Sequence, residues 1–332
     1  MTSRLRVVFF GELGSTFSRL HYAVLRRRTD VLLWVAGRSN QNANERRQFV
    51  SIQDWWERLR IRTGLEWETL RALGTPAVVL NQVDVPIALS ADHTSLFETL
   101  NRLEPDVIVS AGFTRILPAE ILRVPKLGAF NCHPAPLPRY AGSNPWFWIL
   151  RNGETESAVT IHRMVVEADA GPIVRQKRFQ IASAINHQQL YNQSSLLSAL
   201  LLRECVDRWA RGIIDETPQD LLQRTFFSSP RKDDYRIDWS QSARQIQDLV
   251  RAASPLPGAW TTVGGQQFTV RGVEPMAGDA PAGIVVSVSR SSVSVGCADG
   301  LVRILRISLD GKELPGSRLS GILGLSVGQR LE

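Results

Sequence analysis

The sequence predicts an α/β fold: a Rossmann-like open sheet, mostly parallel, with helices on both faces, followed by a small C-terminal β-barrel-like domain of OB type. Three observations carry this. Short apolar runs alternate with helix-period segments through the first two thirds of the 332 residues, as in strand–helix–strand units on a parallel sheet. The last third changes to short alternating strands punctuated by glycine, the pattern of a small antiparallel domain. Between them, residues 225–236 are rich in Ser, Pro, Arg, Lys and Asp and have no period, as a linker does. The expected division is a catalytic domain over 1–224, a linker over 225–236 and a β-rich domain over 237–332.

The elements follow in order. Residues 5–10, LRVVFF, read as a buried first strand. Gly11-Glu12-Leu13-Gly14-Ser15 reads as a strand-to-helix turn. It lacks the third glycine of a dinucleotide fingerprint, and no acidic residue closes the second strand as that fold requires. Ser15 or Thr16 caps a helix to about Arg28. Residues 30–36 are the second strand, and 37–44 are polar and irregular. Residues 52–73 read as helical, with Trp55, Trp56, Leu59, Leu65, Trp67 and Leu70 on one stripe, which fits core packing rather than a base-stacking platform. A short strand over 76–80 precedes a helix over 92–103 and an apolar strand over 106–111. The strand at 127–130 leads to a proline-rich loop. A helix begins at 145–152 with Trp146, Phe147 and Trp148, followed by a strand over 159–164, its hairpin partner over 173–181 and an amphipathic helix over 187–211. The C-terminal domain is read as a helix over 243–252 and strands over 267–273, 283–288, 291–297 and 301–308.

Hydrophobic residues make up 43% and charged residues 21%, enough apolar surface for two cores and too much for a disordered chain. No apolar run approaches the length of a bilayer span. Residues 1–6 show no signal-peptide pattern, so a cytoplasmic location without membrane contact is expected. Cys132, Cys205 and Cys297 are widely spaced; they form neither a zinc pattern nor a disulfide framework, and Cys132 is read as a small buried hydrophobe. The formal charge is +7, much of it arginine. Such a surface attracts phosphate esters, whether of tRNA or of a nucleotide sugar, but an arginine-coated surface alone would look the same, so charge does not choose between them.

The chemistry-bearing stretch begins at Asn131-Cys132-His133-Pro134-Ala135-Pro136-Leu137-Pro138 and ends at Ala168-Asp169-Ala170-Gly171, with Asp169 lying 36 residues beyond His133. Asn131 and His133 at i and i+2 on a strand end point to one side. The prolines stop any helix and stiffen the loop. Polar groups at the carboxyl end of a strand lie where open α/β sheets bind ligands. His162 is read as a packed or surface histidine in a strand, and His21, His93 and His187 draw no functional reading. No metal-ligand cluster is seen.

With these residues in view, the chain resembles the formyltransferases that use 10-formyltetrahydrofolate. That family carries an Asn-X-His-X-Ser-Leu-Leu-Pro loop and a later Leu-Asp-Thr-Gly turn; Asn131, His133, Pro138, Gly142, Pro145 and Asp169 fall on matching positions. The finer texture of residues 152–156, 159–164, 168–171 and 267–270 and of the tail resembles the branch acting on UDP-4-amino-4-deoxy-L-arabinose. The resemblance is weakest over 37–82, where the tRNA-modifying branch carries a basic insertion. Two departures stand beside the acceptor entrance: Ala135-Pro136 replaces Ser-Leu, and Ala141-Gly142 replaces Arg-Gly.

The resemblance implies a metal-free transfer of formyl to a primary amine of a small acceptor, an amino sugar nucleotide or a secondary-metabolite precursor. Asn131, His133 and Asp169 would be catalytic. Ala111, Gly112, Phe113, Arg115, Leu117, Val166 and Ala168 would line the folate site, and Pro134, Ala135, Pro136, Leu137, Pro138 and Gly142 the acceptor loop. Alternatives are a methionyl-tRNA formyltransferase, a 10-formyltetrahydrofolate hydrolase and a catalytically silent binding regulator. The apolar residues 322–327 would suit a homodimer interface.

Overall fold

The structure, a computed structural model, describes residues 4–12, 14–28, 31–36, 93–289, 292–309 and 312–332. The helix read over 52–73, the strand over 76–80 and the irregular segment over 37–44 lie outside the described residues. By its contacts the chain divides into two units. One comprises Met1–Gly142, Glu156–Phe179 and Gln189–Phe226; the other comprises Ser143–Thr155, Gln180–Gln188 and Phe227–Glu332.

The first unit is built on a six-stranded sheet. In chain order its strands are β1 (Leu5–Phe10), β2 (Val31–Ala36), β3 (Val107–Ser110), β4 (Gly128–His133), β6 (Glu156–Arg163) and β7 (Ile173–Gln180), and they lie side by side as β2-β1-β3-β4-β6-β7. The two-residue strands β5 (Ala141–Gly142) and β8 (Phe226–Phe227) stand outside it. β1 to β4 are parallel, and β6 runs antiparallel to β4. β1 is flanked by β2 on one side and β3 on the other, which makes their carboxyl ends the topological switch point where such sheets bind ligands.

Strand alternation sorts the side chains onto two faces. On one face Val8, Phe10, Ile108 and Ala129 pack with Leu96, Leu100 and Leu103 of helix α2 (His93–Leu103) and with Ile121 of the short helix α3 (Ala119–Leu122). On the other, Phe9 meets Tyr22 of helix α1 (Thr16–Arg26), and Phe130 stacks on Trp209 with ring centroids 4.5 Å apart. Trp209 ends helix α5 (His187–Trp209). Ser15 caps α1 by accepting from the Ser18 backbone N–H. Helices therefore cover both faces, as the sequence predicts. Helix α5 departs from the amphipathic reading: its buried residues include Leu190, Asn192, Ser194, Leu196, Ala199, Leu202 and Cys205, so they span more than one stripe. Its serines back-bond to Tyr191 carbonyl oxygen.

The second unit holds helix α4 (Pro145–Arg151), helix α6 (Ala243–Ala252) and an antiparallel sheet. Its strands are β9 (Ala259–Val263), β10 (Gln266–Met276), β11 (Val285–Val288), β12 (Val293–Cys297), β13 (Gly300–Leu309) and β14 (Lys312–Pro315), ordered β11-β12-β13-β10-β9 with β14 against β13. Residues Arg318–Leu323 form a last short helix, α7. A capping box at Ser242 and Gln245 starts α6, and within it Asp248 and Arg251 form a buried pair at 2.7 Å. No helix among the described residues is long and apolar enough to cross a membrane.

His21 belongs to the fold. It is fully buried; Nδ1 donates to the Phe17 carbonyl at 2.7 Å, which leaves Nε2 to accept from the Ser198 hydroxyl at 2.8 Å. Burial lowers its pKa to about 4, with the Phe17 contact opposing weakly. Between pH 4 and the ordinary histidine value the unfolded chain then binds the extra proton, so stability is complete above about 6.5 and falls with pH towards 4. The full effect is about 3 kcal/mol. Urea unfolding at neutral pH and near pH 5 should show this loss, and His21→Met should flatten it.

Candidate active site

Sheet register assembles the site. β4 places Asn131 opposite Ser110 of β3 on one side and opposite His162 of β6 on the other; His133 stands opposite Thr160. Alternation turns Asn131, His133 and His162 to one face, and Cys132 to the other, where it is buried. Burial pushes the Cys132 thiol well up, with nearby Cys205 adding to it and Ser198 opposing, so it has none of the thiolate character of a nucleophile. This agrees with the bland reading of that cysteine.

Asp169 reaches the same point from the loop after β6. Asn131 Nδ2 donates to its Oδ1 at 3.3 Å, His162 Nε2 lies 3.3 Å from the same oxygen, and His133 Nδ1 lies 3.7 Å from it. The second carboxylate oxygen, Oδ2, accepts from the Gly142 backbone N–H at 2.9 Å. The three residues read as catalytic are thus gathered around one carboxylate. Its side chain is 11% exposed, against 5% for His133 and 2% for His162. Burial is the largest single influence on Asp169 and would raise its pKa; His133, His162 and the Gly142 amide together outweigh burial and hold the carboxyl well below its usual range. The residue is an anion throughout the physiological range.

The hydrogen-bond roles follow from the partners. His133 Nε2 faces the Tyr140 carbonyl at 2.8 Å and His162 Nδ1 the Arg163 carbonyl at 3.0 Å. A carbonyl only accepts, so each of those nitrogens carries a proton. The remaining nitrogen of each ring faces an ionised carboxylate, which also only accepts. The arrangement offers an amide donor and two imidazoles around one fixed negative charge, at the carboxyl end of a strand.

His162 was read as a packed or surface histidine in a strand, and the structure gives it a contact with the carboxylate as well. Asn131 Nδ2 lies 3.3 Å from its Nε2. The signal that finds it is the pairing register: a polar residue directly across an antiparallel ladder from Asn131. Sequence inspection alone does not supply that register.

The residues read as folate-lining lie at the switch point and on the Asp169 loop. Gly112, Arg115, Val166 and Ala168 are exposed, Phe113 is half-buried against Phe10, and Ala111 is buried. Leu117 is buried in the core with Val8 and Ile108. Gly112 has φ 66°, and a Cβ there would lie 2.9 Å from Ser18 Oγ, so the position favours glycine. On the acceptor loop, Pro134, Ala135 and Leu137 are buried and Pro136 and Pro138 half-buried. The Ala135 carbonyl accepts from Thr160 and the Leu137 carbonyl from Gln176. Gly142, at φ 101°, adopts a conformation that frees its N–H for Asp169. Among the described residues no group of three His, Cys, Asp or Glu side chains is placed to hold a metal ion.

Residues 69–203 match the formyl transferase model, and residues 230–319 match the model for the formyl transferase C-terminal domain. The chain belongs to the formyltransferase family of enzymes. Solved structures share the fold. HypX from Aquifex aeolicus, in complex with tetrahydrofolic acid, is 20% identical with a TM-score of 0.57 over 98% of this chain. That alignment covers 48% of HypX, so this chain spans about half its length. The N-formyltransferase from Helicobacter canadensis, in complex with folinic acid and dTDP-3-aminofucose, is 17% identical with a TM-score of 0.62, over 92% of this chain and 100% of that one. Methionyl-tRNA formyltransferase from Clostridium thermocellum is 11% identical with a TM-score of 0.53, over 82% and 94%.

Gly171 tests how tightly the loop is held. A Cβ there would lie 1.9 Å from the Arg163 carbonyl oxygen. Gly171→Ala must displace backbone, and thermal or urea unfolding should show a loss of about 1–3 kcal/mol.

Proposed function

We propose that this chain transfers the formyl group of 10-formyltetrahydrofolate to the primary amine of a small acceptor, an amino sugar nucleotide or a related biosynthetic amine. The observation that carries the reading is the single Asp169 oxygen approached by Asn131, His133 and His162. A structural ion pair needs one partner, whereas this one gathers an amide and two rings at a strand end.

The exposed residues beside the site fit the donor. Ile116, Val165 and Val166 present apolar surface at the 111–117 turn and on the Asp169 loop, and the open backbone at Gly112 suits a flat heterocycle with polar edges. Ala111, Gly112, Phe113, Arg115, Leu117, Val166 and Ala168 would hold it. When bound, the donor supplies a formyl carbon whose bond to N10 breaks as the bond to the amine forms. The protein's part is electrostatic. Asn131 would direct an amide N–H, and the His133 imidazole a further polar contact, at the oxygen where negative charge grows. Asp169 would hold that array in place, and the proton that the attacking amine releases would pass by way of its carboxylate to N10 as that nitrogen leaves. The acceptor loop is rigid because its carbonyls are tied down by Thr160 and Gln176, so the amine approaches a fixed wall. For the acceptor class, support comes from the sequence texture of residues 152–171, and solved sugar N-formyltransferases share the fold.

Incubation of the chain with 10-formyltetrahydrofolate and a panel of amines, read by mass, should show a gain of one formyl group on an amino sugar nucleotide. Formate without formylated product would assign hydrolysis instead, and formylation of charged initiator tRNA would assign the tRNA acceptor. Asn131→Ala, His133→Ala and Asp169→Ala should each keep the fold by circular dichroism and lose about 10²–10³-fold or more in kcat. His162→Ala removes one contact to a charged carboxylate and should cost about tenfold or somewhat more in kcat. Near-native turnover in the His133 variant would end the mechanism.

A further inference from the structure

Asp169 sits on a loop, at φ 58°, a left-handed conformation that a non-glycine residue keeps only when its surroundings hold it. What holds it comes from 50 residues downstream. Gln219 Nε2 donates to the Asp169 carbonyl oxygen at 2.8 Å and to the Gly171 carbonyl oxygen at 2.6 Å. Both partners only accept, so the nitrogen end of the amide must face them. Its Oε1 is buried with no hydrogen-bond partner among the described residues, so no other bond orients the amide. Arg224 adds a second tie: Nη2 donates to the Ala168 carbonyl at 2.9 Å, and Nη1 pairs with Glu167 at 3.1 Å. Its guanidinium lies over the Phe226 ring at 5.3 Å.

The segment that carries these two side chains is itself pinned at both ends. Thr217 exchanges backbone hydrogen bonds with Ile173, just past the Asp169 loop, at 2.9 and 2.8 Å. Thr225 accepts from the Ala141 N–H at 2.9 Å, and its hydroxyl accepts from the Tyr140 N–H at 2.9 Å. Tyr140 supplies the carbonyl that holds His133 Nε2, and Gly142 the N–H that holds Asp169 Oδ2. One stretch of chain therefore grips the loop that orients the imidazole and the loop that presents the acid.

We propose that residues 217–225 are a strap that fixes the spacing between the His133 loop and the Asp169 loop, with Gln219 as its positioning residue. Gln219 touches no reacting atom; it acts through the backbone of Asp169. Its importance for turnover rests on the formyl-transfer reading, whereas its hold on Asp169 does not.

The test uses the full-length chain. Gln219→Met keeps the length and bulk of the side chain and removes both donors. In the native protein, a carbon-13 label on the Asp169 carboxyl, assigned with Asp169→Asn, should stay in its ionised position down to the lowest pH at which the fold survives. In Gln219→Met the same signal should titrate within the ordinary carboxylate range. Its kcat for the best amine should fall about 10²-fold, the cost of a misplaced group, while the KM for that amine changes little. Gln219→Glu adds a sharper readout. An ionised glutamate cannot donate to two carbonyls and a protonated one can donate to one, so its kcat relative to the native chain should climb as pH falls from about 8 towards 5.5. A folded Gln219→Met protein with native Asp169 titration and native kcat overturns the strap. If that variant does not fold, a Gln219→Glu ratio independent of pH overturns it. If the native chain formylates no amine, the transfer reading falls, and the Asp169 titration still decides whether the strap holds.

Discussion

One carboxylate oxygen, Asp169 Oδ1, is the point on which the site depends. Asn131, His133 and His162 are brought near each other by strand register, but register alone would leave two imidazoles crowded beside an amide in a buried place without the partner that Asp169 supplies. The carboxylate makes that crowding favourable. In return, the rings and the Gly142 amide keep the acid ionised despite its burial. Each group makes the state of the others affordable, and this mutual dependence lets so many polar atoms sit at a strand end with little exposure.

The surrounding protein is arranged to keep that point still. β4 is held by β3 on one side and by β6 on the other, so Asn131 and His133 ride on a strand that is not an edge. The Asp169 loop has no such ladder to hold it. It is fixed by the close approach of Gly171 to the Arg163 carbonyl, by the Gln219 amide and by Arg224. Strand and loop thus obtain rigidity by different means, backbone pairing for one and side-chain ties for the other. The loop through Tyr140 and Gly142 touches both the His133 ring and the acid. Gly112, Ile116, Val165 and Val166 are exposed on the first unit.

Much of the architecture was legible in the amino-acid order because the relevant signals are local. The alternation of apolar strands with helices marked the α/β sheet, and glycine-punctuated alternation marked the antiparallel C-terminal sheet. Asn131 and His133 were legible as a pair since an i, i+2 spacing on a strand has one geometric outcome. Asp169 was legible through resemblance, as its distance along the chain carries no geometric meaning by itself. His162 is packed in its strand as read, and its contact with the carboxylate was not legible, because a histidine in a strand looks the same whether it faces a core or a carboxylate.

The sequence by itself determined the element types and the face on which Asn131 and His133 lie, because periods of two and 3.6 residues and the conformational limits of proline and glycine act over a few bonds. Only the tertiary structure decided that β6 lies antiparallel to β4 with His162 across from Asn131, and that Gln219 and Arg224 return to clasp the Asp169 loop. Those contacts join residues 31 to 56 positions apart, and no local rule reaches so far. They are fixed by which packing of the whole chain buries its apolar faces while leaving the fewest polar groups without a partner.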